Sequence, residues 1–140
     1  MTTVFVSGGF DPLHSGHIEY FKAAKQLGDT LVVGVNSDPW LVRKKGQAFM
    51  PFEERAKIIE NLEMVDNVML VSDDDTGGTT KAIGYLLQTT TGKIIVANGG
   101  DRINGDIPEQ KVYGDHPDVE FVFGVGGEDK KNSSSWILKN

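Results

Sequence analysis

Residues Gly8 to His17 read GGFDPLHSGH, with His14 and His17 three positions apart. Two glycines and a Phe-Asp-Pro turn make a poor strand, and the histidines fall where a helix would begin. A protonated imidazole at a helix N-terminus is opposed by the macrodipole, so two of them make little structural sense alone. An anion between the rings reverses that argument. Its oxygens would accept hydrogen bonds from both imidazoles and from the free N–H groups of the first turn, while Gly8 and Gly9 let it approach the backbone. Taken singly, each histidine is a locally bonded loop or surface side chain. Taken together, the ten residues ask for a phosphate. The glycines do not follow G-x-G-x-x-G, and TGGTTK puts Thr80 before Lys81, so neither a dinucleotide fingerprint nor a P-loop is present.

The elements around this stretch alternate in type. TVFVSGG reads as a buried strand ended by glycine, and SGHIEYFKAAKQLGD as a helix with Ser15 as cap, Glu19 in its first turn and Gly28 as its stop. Ile18, Phe21 and Ala24 give that helix its apolar stripe. TLVVGVNSD is a second strand, nearly continuous in apolar residues as a strand covered on both faces would be. PFEERAKIIENLEMV is a helix with Pro51 near its first turn, DNVMLVS a third strand and GGTTKAIGYLLQTTTG a helix ending near Gly92. KIIVANGG and VEFVFGV are the fourth and fifth strands, and SSSWILKN a short closing helix. The pattern predicts an α/β domain with a mainly parallel five-stranded sheet, right-handed crossovers and helices on both faces. Ligands of such sheets bind at the carboxyl ends of the strands, and GGFDPLHSGH is the first loop there.

The whole chain, 1–140, is the size of one domain. A net charge of −6 argues against a general binder of nucleic acid or membrane surface. With no cysteine, disulfides, thiolate metal sites and a cysteine nucleophile are excluded. No leader or long apolar run is visible, so the expectation is a cytoplasmic protein. Asp73 to Asp75 read as a solvated turn and helix start rather than a metal site. NGGDRINGDIPEQKVYGDHPD is a loop-rich stretch long enough to suspect function. Trp40 and Trp136 fit either packing or lids.

GGFDPLHSGH resembles the H-x-G-H signature of the cytidylyltransferase-like nucleotidyltransferases, which share a Rossmann-like fold. The resemblance covers nearly the whole chain. AKQLGDTLVVGVNSD followed by PFEERAKIIENLEMVDNV is similar to the glycerol-3-phosphate cytidylyltransferases and to the adenylyltransferase domain of ADP-heptose synthases. It implies transfer of AMP or CMP from ATP or CTP to a small phosphorylated sugar or polyol, with release of pyrophosphate. His14 and His17 would hold the triphosphate and stabilise charge on the α-phosphate and the departing pyrophosphate. Magnesium would bridge phosphate oxygens with no dedicated protein cage. A homodimer is implied as well.

By the same resemblance the backbone at Gly9 and Phe10 approaches the nucleotide, with Asp11 fixing the turn. Gly99, Gly100 and Asp101 recognise the nucleotide after the fourth strand, and Ser133, Ser134 and Ser135 take phosphate at the last helix. The basic run Arg43 to Gly46 would form a flexible loop over the phosphates, Lys44 foremost and Lys45 less so. Arg55 shares a helix face with Ile59 and Leu62, so it must meet an anion, a carboxylate such as Glu19 or a ligand phosphate. The resemblance favours the phosphate. The chain departs from the glycerol-3-phosphate type at Gly100 and Glu128, and from dinucleotide-forming adenylyltransferases at Asn132 and Leu138. NSD and GGD lean toward the ADP-heptose type and ATP. A nucleotide-binding regulatory module without turnover is the alternative, and a domain binding another phosphorylated ligand the third reading.

Overall fold

The computed structural model describes residues 1–71, 79–99 and 108–126. Its elements are β1 (Thr2–Gly8), α1 (Ser15–Lys25), β2 (Thr30–Asn36), α2 (Asp38–Lys45), α3 (Phe52–Glu60), β3 (Asn67–Val71), α4 (Thr80–Thr89), β4 (Lys93–Ala97), α5 (Pro108–Tyr113) and β5 (Val119–Val122). The strands form one sheet in the order β3-β2-β1-β4-β5, and each neighbouring pair is parallel. The chain winds outward from β1 to β3, then returns to place β4 on the other side of β1. The strand order therefore reverses between β1 and β4, and ligand sites of such sheets lie outside the carboxyl ends at that reversal.

Alternation along β1 divides the core into two layers. Val4 and Val6 pack with Phe21 and Ala24 of α1 and Ile59 of α3. Phe5 points the other way, into Ala82, Ile83 and Leu86 of α4. Helices thus cover both faces, as the alternating pattern predicts. β2 is buried on both sides and reads as an apolar run, whereas β3 at the sheet edge exposes Asn67 and Leu70. Gly34 in β2 is required by close approach. A Cβ there would lie 2.6 Å from Val71 Cγ2 and 2.8 Å from Phe5 Cζ.

Several boundaries differ from the sequence reading. α1 is capped by His14 rather than Ser15 and ends at Lys25, leaving Glu19 beyond its first turn. α3 ends at Glu60, with Pro51 as its N-cap. The largest correction is α2, because the basic run Arg43 to Lys45 is a last helical turn and not a flexible loop. Ser37 starts that helix, its Oγ accepting from Trp40 N at 3.3 Å, and Gly46 ends it at φ 89°. Serine, proline and glycine were the start and stop signals, hidden by their position directly behind a strand. α5 likewise occupies part of the long stretch read as loop. Asp73 to Asp75 and the closing helix lie outside the described residues.

The packing at Gly34 leaves no room for a methyl group. Gly34→Ala should cost about 1–3 kcal/mol, seen as a lower denaturant midpoint at unchanged slope.

Candidate active site

The β1–α1 connection sits at the carboxyl end of the central strand, and its two histidines are locked to the helix start. His14 Nδ1 accepts from Gly16 N at 3.1 Å, and His17 Nδ1 accepts from His14 N at 3.2 Å. The exchange resembles a capping box built from imidazoles. The rings stack with centroids 3.8 Å apart and planes 25° from parallel. Gly16 makes this possible, since a Cβ there would come within 2.9 Å of the His14 ring. Phe10 sets the ring of His17 from below, edge to face at 5.0 Å. It does so from the left-handed region, φ 51°, with its side chain buried in the core.

These bonds decide the tautomer. A ring nitrogen that accepts from a backbone N–H carries no proton, so a neutral imidazole holds its proton on Nε2. Burial pushes the His17 pKa down to about 3, with the His14 and Lys45 charges adding to the effect. Burial and then Lys45 lower His14 in the same direction. At neutral pH the pair is therefore uncharged, which answers the macrodipole objection without an anion. Two Nε2–H donors remain on the far side of the rings from the backbone that holds them.

Arg55 of α3 reaches the same carboxyl edge with its side chain fully buried. Its Nε donates to Met50 O at 2.9 Å, Nη1 to Gly9 O and Asn36 O at 2.8 Å each, and Nη2 to Asp38 Oδ1 at 2.6 Å. The anion it meets is thus a carboxylate, Asp38 and not Glu19. The expectation of a direct phosphate contact is corrected: the guanidinium has no exposed face, and its fork is occupied by the ends of β1 and β2 and the start of α2. Asp11 plays a matching part. It accepts from Phe49 N at 2.6 Å and Met50 N at 2.7 Å, one oxygen each, so its carboxylate fixes the strap between α2 and α3 rather than bonding within its own turn.

The strap and α2 bring a lysine to the histidines, and it is Lys45. Its Nζ lies 3.4 Å from Asp11 O and its charge is felt by both imidazoles. Lys44, favoured from the sequence, instead stacks its ammonium over Trp40 at 5.2 Å. Helical geometry separates the two neighbours by about 100°, a distinction invisible when the run is read as a loop. Gly9 lies against Leu41 and Trp40, and its carbonyl serves Arg55. Gly99 follows β4 in open space. Gly100, Asp101, Ser133, Ser134, Ser135 and Trp136 lie outside the described residues. Two residues the sequence reading passed over, Gly16 and Asp38, hold the constellation together. H-x-G-H spacing pointed to the first, and a serine-capped helix start would have pointed to the second.

The geometry predicts an acid-sensitive fold. His17 stays neutral in the native state down to about pH 3, whereas an unfolded histidine protonates near 6.5. Between those values the unfolded chain binds the extra proton. The contribution is complete above the unfolded pKa and is lost as pH falls, with a slope of up to about 1.4 kcal/mol per pH unit. Urea unfolding at a series of pH values should show this slope, and His17→Gln should reduce it. Arg55→Lys keeps the charge but not the fork and should destabilise by about 3 kcal/mol or more, read from thermal unfolding.

Residues 5–124 match the model of the cytidylyltransferase-like family. The chain is 36% identical over 138 residues to bifunctional protein HldE of Geobacter sulfurreducens, covering 97% of this chain and 27% of that protein. With HldE of Citrifermentans bemidjiense it shares 37% over 140 residues, 98% of this chain and 27% of the relative. It thus spans about a quarter of the length of these curated relatives. Among solved structures, the lipopolysaccharide core biosynthesis protein of Thermoplasma volcanium is similar at a TM-score of 0.68 and 29% identity, over 88% of this chain and 95% of that one. A bifunctional NMN adenylyltransferase/ADP ribose pyrophosphatase of Francisella tularensis shares the fold at a TM-score of 0.65 and 16% identity, over 99% of this chain and 41% of that one. The family match runs from within β1 to beyond β5 and takes in the stacked histidines and the Arg55 network: the chain belongs to the cytidylyltransferase-like family of nucleotidyltransferases.

Proposed function

We propose that this chain transfers AMP or CMP from a nucleoside triphosphate to a phosphorylated sugar or polyol and releases pyrophosphate. The observation that carries the reading is the stacked, neutral histidine pair with both Nδ1 atoms bonded to backbone. Two fixed Nε2–H donors at a helix N-terminus suit the oxygens of a phosphate chain. An acceptor phosphate oxygen would attack the α-phosphorus in line. The bond from the α-phosphorus to the bridging oxygen breaks, and that oxygen leaves with its electron pair as part of pyrophosphate. Fixed donors facing the charge that gathers there require no reorganisation during the step, and Lys45 adds a positive charge beside them.

No enzyme-bound intermediate is needed. The carboxylates near the histidines are committed to the protein, Asp11 with both oxygens and Asp38 with one. Magnesium, which readily keeps phosphate oxygens and water as ligands, would arrive with the triphosphate. A saccharide acceptor is supported by the similarity to the lipopolysaccharide core biosynthesis protein of Thermoplasma volcanium. NSD and GGD, like the ADP-heptose type, favour ATP.

Pyrophosphate release with magnesium tests this, with ATP and CTP each offered against heptose 1-phosphate, glycerol 3-phosphate and other sugar phosphates. One nucleotide and one acceptor should give turnover. His17→Ala should lower it by about a hundredfold or more, and Lys45→Ala should cost more than Lys44→Ala. Triphosphate binding without release from any pair would favour a regulatory module. Absence of both would overturn the reading.

A further inference from the structure

Two buried side-chain atoms have no hydrogen-bond partner among the described residues, Asn36 Oδ1 and Thr80 Oγ1. Asn36 is the last residue of β2, β3 is its neighbour in the sheet, and Thr80 opens α4, the next helix after β3. Both therefore sit at the carboxyl edge of the sheet. They also share a face. A Cβ on Gly34 would meet Val71 and Phe5, members of the core layer under α4, and Asn36, two residues on, faces the same way. The histidines lie across the sheet, on the layer that α1 covers.

Asn98 at the end of β4 provides the contrast. It is equally buried, but its Nδ2 donates to Val96 O and Val122 O at 3.3 Å each, so its amide binds β4 to β5. Asn36 is only 6% exposed, and its oxygen has no comparable partner among the described residues. Buried polar atoms in native proteins are almost always satisfied, so an idle one at a ligand-binding edge marks a partner that comes from outside. The type of that partner follows from the group. A side-chain amide carries an acceptor oxygen beside N–H donors, a pairing that matches a hydroxyl, which both accepts and gives a bond. The Thr80 hydroxyl beside the same edge can both give and accept a bond.

We propose that Asn36 and Thr80 form a subsite for a sugar or polyol hydroxyl, supplied by the phosphorylated acceptor or by the ribose of the nucleotide. The identity of the ligand rests on the nucleotidyl-transfer reading, whereas the idle atoms do not. Phosphate would then be held on the α1 face and hydroxyl on the α4 face of one carboxyl edge.

The test follows the Asn36 side-chain amide by NMR in the 15N-labelled chain. Heptose 1-phosphate, glycerol 3-phosphate, ATP, 3′-deoxy-ATP and pyrophosphate are titrated separately. Movement with a sugar or polyol phosphate assigns the subsite to the acceptor. Movement with ATP that disappears with 3′-deoxy-ATP assigns it to the ribose. Movement with pyrophosphate alone, or with nothing, overturns the proposal. In Asn36→Leu the hydroxyl-bearing ligand should bind about three- to tenfold more weakly while pyrophosphate binding stays unchanged. Unaltered affinity for both would also overturn it, and if the variant fails to fold the titrations of the native chain still decide. A wild-type chain that releases no pyrophosphate but still moves Asn36 would sink the proposed reaction and leave the subsite standing.

Discussion

Everything at the carboxyl edge hangs on one buried guanidinium. Arg55 reaches from α3 to the carbonyls of Gly9, Asn36 and Met50 and to the carboxylate of Asp38, so one side chain sets the ends of two strands and two connections against each other. Burying a cation is costly unless its donors are filled, and here the planar fork fills them in several directions at once. Asp11 repeats the device with opposite sign, its oxygens filled by two backbone N–H groups from the strap before α3. The two charges do not pair with each other. Each instead gathers backbone, which makes the surrounding loops part of the rigid scaffold.

That scaffold explains how a histidine pair can stay neutral and oriented. Stacked imidazoles beside a lysine would repel if protonated, and burial of His17 raises the penalty further. Backbone donors at both Nδ1 atoms fix the alternative, a neutral pair with its N–H bonds turned outward. The site thus presents directional donors rather than mobile charge, and leaves the cationic contribution to Lys45 on α2.

The repeating strand and helix pattern made the parallel sheet legible, because burial on both faces writes continuous apolar strands such as β2. H-x-G-H made the family legible, whereas the macrodipole argument for an anion did not carry over, because the neutral pair caps the helix by itself. What escaped was tertiary. Arg55 on an apolar helix face announced an anion, but whether that anion was ligand or protein depended on Asp38, seventeen residues earlier and brought near only by the fold. Lys44 and Lys45 are neighbours in sequence, and only the turn of α2 separates one onto Trp40 and the other toward the histidines. A helix eight residues long, wedged between a strand and a strap, offers too little periodicity to be read.

The same reasoning separates atoms that serve the fold from atoms that do not. Buried polar groups here mostly carry structural bonds: Asp11 to the strap, Arg55 to the strand ends, Asn98 to β5. Against that background an idle acceptor on Asn36 has weight, because neighbouring residues show what a satisfied one looks like. The two faces of the carboxyl edge also differ in kind. Nitrogen donors and a lysine occupy the α1 side, while an unfilled amide oxygen and a hydroxyl occupy the α4 side. A ligand with phosphate at one end and hydroxyls at the other would satisfy both faces in a single orientation.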